Sequence, residues 1–136
     1  TADQVSKVAT LLKENPDKMK EIETIGIVAR RGIDALVSGD MDGVGIAMTE
    51  NHLLLRNLGV SSPELENLIS AAAPSSLGVK LTGAGGGGCM IALTRNPKET
   101  SEAIELAGGK TLISRLACKG LAVEDTNLQI WNPFDN

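Results

Sequence analysis

The sequence predicts an α+β domain with its helices packed on one face of a small antiparallel sheet. Three observations predict it. Apolar residues recur every three or four positions from the N-terminus to about Ala72, the period of helices with a buried side. From Leu77 the pattern changes to short apolar runs divided by glycines, in the order strand, loop, strand, helix, strand. The 136 residues, 42% of them hydrophobic and 22% charged, are also enough to bury a core without disulfides or metals.

The first helix is expected over residues 2–14, where Val5, Val8, Ala9, Leu11 and Leu12 share a face, and Asn15-Pro16 ends it. The second runs over 17–38, with Met19, Ile22, Ile25, Ala29, Ile33 and Leu36 as its stripe and Gly39 as its C-terminal cap. A third spans 41–58, capped by Asp40 or Asp42, with Val44, Ala47, Met48, Leu54, Leu55 and Leu58 apolar. Asn51 falls inside that stripe and His52 on its flank. Ser62-Pro63 opens a fourth helix, a serine cap followed by proline at the first helical position.

Residues 77–82 and 89–94 read as strands around a loop at 83–88. Asn96-Pro97-Lys98-Glu99 then supplies the cap, proline and third-position acid of a helix reaching about residue 107. Further strands are expected at 111–116 and 121–123, a weaker one at 128–131, and a polar tail at 132–136.

Composition narrows the function classes. The aromatic residues are Trp131 and Phe134, with no tyrosine, so the core must be aliphatic and there is no platform for stacking bases. A net charge of -4 with scattered Lys and Arg argues against a nucleic-acid partner. No apolar run nears the ~20 residues of a membrane span, and the N-terminus lacks a signal-peptide pattern. Cys89 and Cys118 stand outside any metal or redox spacing and read as buried thiols, which points to the cytoplasm. The chain opens at Thr1 without methionine, already entering a helix, as a fragment or processed polypeptide would.

The richest stretch is Gly83-Ala84-Gly85-Gly86-Gly87-Gly88. Five glycines in six positions are entropically expensive, and a hairpin closes with one or two. Glycine lets consecutive N–H groups turn into one concavity, a nest for anions, of which phosphate is the usual one. The run formally matches G-x-G-x-x-G, but a dinucleotide site needs a helix next, and the strand-like Cys89-Met90-Ile91-Ala92-Leu93 follows. A Walker loop needs Gly-Lys-Ser/Thr at its end, and Gly88 precedes Cys89. The plainer alternative is a flexible connection that binds nothing.

The stretch Lys80-Leu81-Thr82-Gly83-Ala84-Gly85-Gly86-Gly87-Gly88-Cys89-Met90-Ile91-Ala92-Leu93 resembles the third motif of the GHMP kinase superfamily. Met48-Thr49-Glu50-Asn51-His52-Leu53-Leu54-Leu55, followed by Leu58-Gly59-Val60-Ser61-Ser62-Pro63-Glu64-Leu65, resembles the mevalonate kinase family within it, particularly the archaeal and bacterial forms. The resemblance implies a ferredoxin-like GHMP kinase C-terminal domain over residues 1–125, a C-terminal extension over 126–136, and an N-terminal catalytic domain not contained in the sequence. It implies an enzyme that transfers the γ-phosphoryl group of ATP to the primary hydroxyl of mevalonate, with Mg²⁺. Residues 83–88 would line the cleft near the phosphates and the acceptor. In the family the phosphate loop, the catalytic Asp with its Lys and the Mg²⁺ ligand belong to the missing domain, so no catalytic residue or metal ligand is expected here. The fragment alone is expected to be inactive.

Thr82 follows Lys80 on one face of its strand, and its hydroxyl is a candidate contact to phosphate or substrate. Asn51 is either a structural tie or close to the substrate. His52, the sole histidine, has no acidic partner that spacing can assign, and is expected to sit on the helix surface or in packing. Lys80 reads as a solvated charge. Two other classes stay open beside the enzyme: a stand-alone module using the glycine run to sense an anion or nucleotide, and a domain that pairs with itself as a homodimer. Within the enzyme class, a phosphomevalonate or sugar kinase is the alternative.

Overall fold

A computed structural model describes residues 6–7, 9–10, 13–14, 17–82 and 88–116. The described residues before Asp17 are helical. Helix α1 (Lys18–Ser38) ends where Gly39 adopts φ 76, a left-handed turn that a side chain would resist, and returns its N–H to Ala35 and Leu36. Asp40 caps α2 (Met41–Asn57) by accepting from the Gly43 N–H at 3.0 Å. The two helices form an antiparallel hairpin, closed where Gly32 of α1 meets Ala47 of α2 and joined at the surface by Arg31 and Glu50. Ser62 caps α3 (Pro63–Ala72), with Pro63 in the first turn. A short 3₁₀ turn (Ala73–Ser75) leads into the sheet, and α4 (Pro97–Leu106) follows it.

Among the described residues the sheet has two strands, β1 (Gly78–Thr82) and β2 (Cys89–Leu93), antiparallel with Gly78 opposite Leu93 and Thr82 opposite Cys89. Val79 and Leu81 turn inward and meet Val60, Leu65, Ile69, Ala72 and Ile104, with Leu55, Leu68, Met90 and Ala92 at the edge. Among the described residues this core is aliphatic. At the sheet end nearer the helix connections, Ser75, Thr94 and the buried Thr100 satisfy one another through hydroxyl bonds of 2.7–2.9 Å.

Helix α2 lies between α1 and β1. Its backbone reaches β1 directly: a Cβ on Gly45 would collide with the Leu77 carbonyl, and one on Gly78 with the Gly45 carbonyl. This double burial corrects the expected stripes. A helix covered on two sides has a wider buried arc than one amphipathic seam. His52, not Asn51, is therefore the buried polar residue of α2, at 3% exposure, while Asn51 is half-buried. On α1, Val28 is buried and Met19, Ala29 and Ile33 are exposed.

Three further expectations change. Residues 111–116 form no strand, because no described strand lies beside them to complete a ladder; Thr111 bonds Ser101 and Glu105 of α4 instead. Asn96 makes no side-chain cap for α4; its N–H is held by the Thr94 hydroxyl. Lys80 is half-buried rather than solvated. The strands expected at 121–123 and 128–131, the tail at 132–136 and Cys118 lie outside the described residues, and Cys89 is half-buried.

Candidate functional site

The chain leaves β1 at Thr82 and re-enters β2 at its own partner, Cys89. Paired strand residues stand ~4.5–5.5 Å apart, a gap that a two-residue turn bridges. Six residues fill it, five of them glycine. The strands thus carry a connection far longer and more permissive than hairpin closure requires. Gly83, Ala84, Gly85, Gly86 and Gly87 lie outside the described residues; Thr82 and Gly88, which bracket them, are half-buried at the open end of the sheet.

Behind Thr82 stands a chain of polar groups drawn from three elements. The Leu81 N–H donates to His52 Nδ1 on α2 at 3.2 Å. Because Nδ1 accepts, the ring proton sits on Nε2, which donates to Glu66 Oε2 at 2.6 Å. Glu66, in the first turn of α3, also accepts from the Ser61 hydroxyl at 2.6 Å and from Arg56 at 3.5 Å. A carboxylate suits that turn, where unpaired helix N–H groups leave positive potential. Burial works to raise the Glu66 pKa, but the hydrogen bonds from Ser61, His52 and Arg56 outweigh it and hold the group below the ordinary 4.5. The backbone one residue before Thr82 is thereby tied through an imidazole to a fixed carboxylate.

Lys80 stands on the same strand face as Thr82, its ammonium bonding the Leu81 carbonyl at 2.9 Å. Burial lowers its pKa below the ordinary 10.5, since a half-desolvated cation is disfavoured. Asn51 and Thr82 are each the sequence neighbour of a bonded residue, His52 and Leu81, so the fold brings them to the same junction of α2 with β1. Thr82 and Asn51 therefore adjoin the same hydrogen bond in sequence, while residues 83–87 lie outside the described residues. Glu66 was missed. Its sequence signal, an acid three residues after a Ser-Pro helix start, reads as ordinary capping, and nothing local links it to a histidine 14 residues earlier. The shallow surface depressions along α4, lined by residues such as Arg95, Lys98 and Glu102, include none of these groups.

Comparison with known proteins gives a consistent result. The family model for the C-terminal region of GHMP kinases matches residues 33–113, from α1 through α4. Mevalonate kinase from Pyrococcus furiosus is 38% identical over 133 residues, covering 92% of this chain and 40% of that protein. The Methanocaldococcus jannaschii mevalonate kinase is 40% identical over 100 residues, covering 73% of this chain and 30% of its own length. The chain thus spans about 40% of the length of the first of these relatives. Among solved structures, that of L. major mevalonate kinase in complex with R-mevalonate superposes with a TM-score of 0.68 at 30% identity, covering 78% of this chain and 33% of that one. Since the family model takes in more than half of the sequence, and its fold is the one observed, the chain belongs to the GHMP kinase C-terminal family.

Proposed function

We propose that this chain is the C-terminal part of a mevalonate kinase, an enzyme that moves the γ-phosphoryl group of ATP to the primary hydroxyl of mevalonate. The observation that carries the reading is the similarity to archaeal mevalonate kinases across 92% of the chain, including the glycine-rich connection between paired strands. Phosphoryl transfer rests almost wholly on positioning and charge stabilisation. In this reading residues 83–88 offer backbone N–H groups to phosphate oxygens, Thr82 offers a hydroxyl to phosphate or acceptor, and Asn51 lies near the acceptor. The Lys80 charge favours anions at the same end.

The base, the metal ligands and the main ATP contacts would come from the rest of the protein, so these residues alone would not turn over substrate. Among the described residues no three His, Cys, Asp or Glu side chains converge as metal ligands. A cytoplasmic location and self-association of the chain belong to the same reading.

The test is phosphorylation by the full-length protein with Mg·ATP, offering mevalonate, phosphomevalonate, homoserine and galactose in parallel and following products by phosphorus NMR. Turnover of mevalonate well above the other three is expected. Preference for another acceptor would reassign the protein within the superfamily. No turnover at all, together with micromolar nucleotide binding by the 136 residues, would overturn the kinase reading in favour of a sensing module.

A further inference from the structure

We propose that His52, set by Glu66, is a positioning residue that holds the Leu81–Thr82 end of β1 in register for the phosphate- and acceptor-binding end of the hairpin. The inference deepens the kinase reading and rests on it.

Among the described residues β1 pairs with β2 alone, and on its other side the Leu81 N–H is taken by a side chain rather than by a strand. Packing of Val79 and Leu81 holds the strand against the core, yet apolar contact is non-directional and tolerates small slides along the strand. A hydrogen bond to one backbone amide does not. His52 provides that bond at Leu81, one residue before Thr82 and two before the glycine run.

The histidine itself is fixed. It is 3% exposed, both ring nitrogens are engaged, and they reach different elements, β1 through Nδ1 and α3 through Nε2. Glu66 selects the Nδ1-accepting tautomer by taking the Nε2 proton, as carboxylates do behind metal-bound or catalytic histidines. Ser61 and Arg56 hold Glu66 in turn, so the order runs from the start of α3 to the root of the glycine run.

A run of glycines supplies no rigidity of its own. What the described fold can fix is the position of the strand residues that flank it. The Cys89 end is set by its pairing with Thr82, and the Thr82 end by His52. A misplacement of about 1 Å in such a frame costs on the order of 10²-fold in rate.

Two substitutions separate the two bonds of the ring. Asn at position 52 places its carbonyl where Nδ1 stands, keeping the acceptor for the Leu81 N–H and losing Glu66. Gln places its amide near Nε2, keeping Glu66 and leaving the Leu81 N–H unpaired. In the full-length enzyme, well below the melting temperature, His52→Gln is expected to lose on the order of 10²-fold in kcat, and His52→Asn roughly ten times less. Amide hydrogen exchange at Leu81 and Thr82 should accelerate in His52→Gln and stay slow in His52→Asn. Glu66→Gln, which still accepts from Nε2, should fold and show an intermediate loss.

If the losses in kcat simply follow the losses in melting temperature, or if His52→Gln keeps wild-type kcat and exchange, the positioning role is wrong. Failure of the kinase reading looks different. The wild type would then turn over none of the acceptors, while exchange at Leu81 and Thr82 would still report whether His52 anchors the strand.

Discussion

At the scale of single residues, the molecule turns on one carboxylate. Glu66 accepts from Ser61, His52 and Arg56, and its pKa lies below 4.5 despite burial. A carboxyl whose folded pKa is depressed stabilises the fold above its unfolded pKa. That contribution is lost as pH falls through the lower, folded value. Glu66→Gln should therefore unfold more easily than wild type near neutrality, and the difference should close as pH drops below 4.5. Urea unfolding of both proteins from about pH 7 to about pH 3 reads this directly; a gap independent of pH would show that the ion contributes nothing beyond its shape. This cluster was only half legible in the sequence. His52 stood out as the sole histidine, but its value as an acceptor for Leu81 comes from a contact 29 residues away in sequence, which no local pattern encodes. The single helical stripe places Asn51 inside it and His52 on its flank, whereas α2 is covered on two sides and buries His52 more deeply.

At the scale of elements, α2 and β1 meet backbone to backbone, and the meeting requires glycine at two places. Gly45→Ala or Gly78→Ala would drive a methyl into a carbonyl oxygen of the other element, neither of which is the movable end of a side chain. The expected loss is ~3 kcal/mol or more, which lowers the melting temperature by roughly 10 °C in a domain of this size. Gly26 is the control. It lies within α1, is exposed, and has nothing within 4 Å of an added Cβ. Gly26→Ala should stabilise by about 0.5–1 kcal/mol, since alanine orders more easily in a helix. Thermal melts of the three variants decide it, and equal effects would contradict the packing described. Capping and period carried most of the element reading: Asp40, Ser62-Pro63 and Gly39 mark ends that the structure keeps. Residues 111–116 form no strand because a strand depends on a neighbour, and no described strand lies beside them to offer a ladder.

At the scale of the whole molecule, the outer side of α1 is one of several exposed apolar surfaces. On α1, Met19, Ile33 and Val37 fall near one line along the helix, and all three are about half or more exposed. The opposite side of α1 carries the buried Val28 and packs on α2 at Gly32. An exposed apolar strip is a feature that soluble proteins commonly bury against something, and the relatives have more than twice the length of this chain with which to do so. In the 136-residue polypeptide the same strip on a second copy can supply that cover. The expected outcome is concentration-dependent association, seen by light scattering as a rise in mass above 14.2 kDa. Ile33→Glu together with Val37→Glu should return the polypeptide to the monomer mass without disturbing the core, because neither side chain belongs to it. Salt discriminates the cause. Association through apolar surface persists or strengthens as ionic strength rises, whereas pairing through the scattered charges of a chain at net -4 would weaken. A mass that stays at the monomer value across the concentration range would show that α1 does not drive pairing.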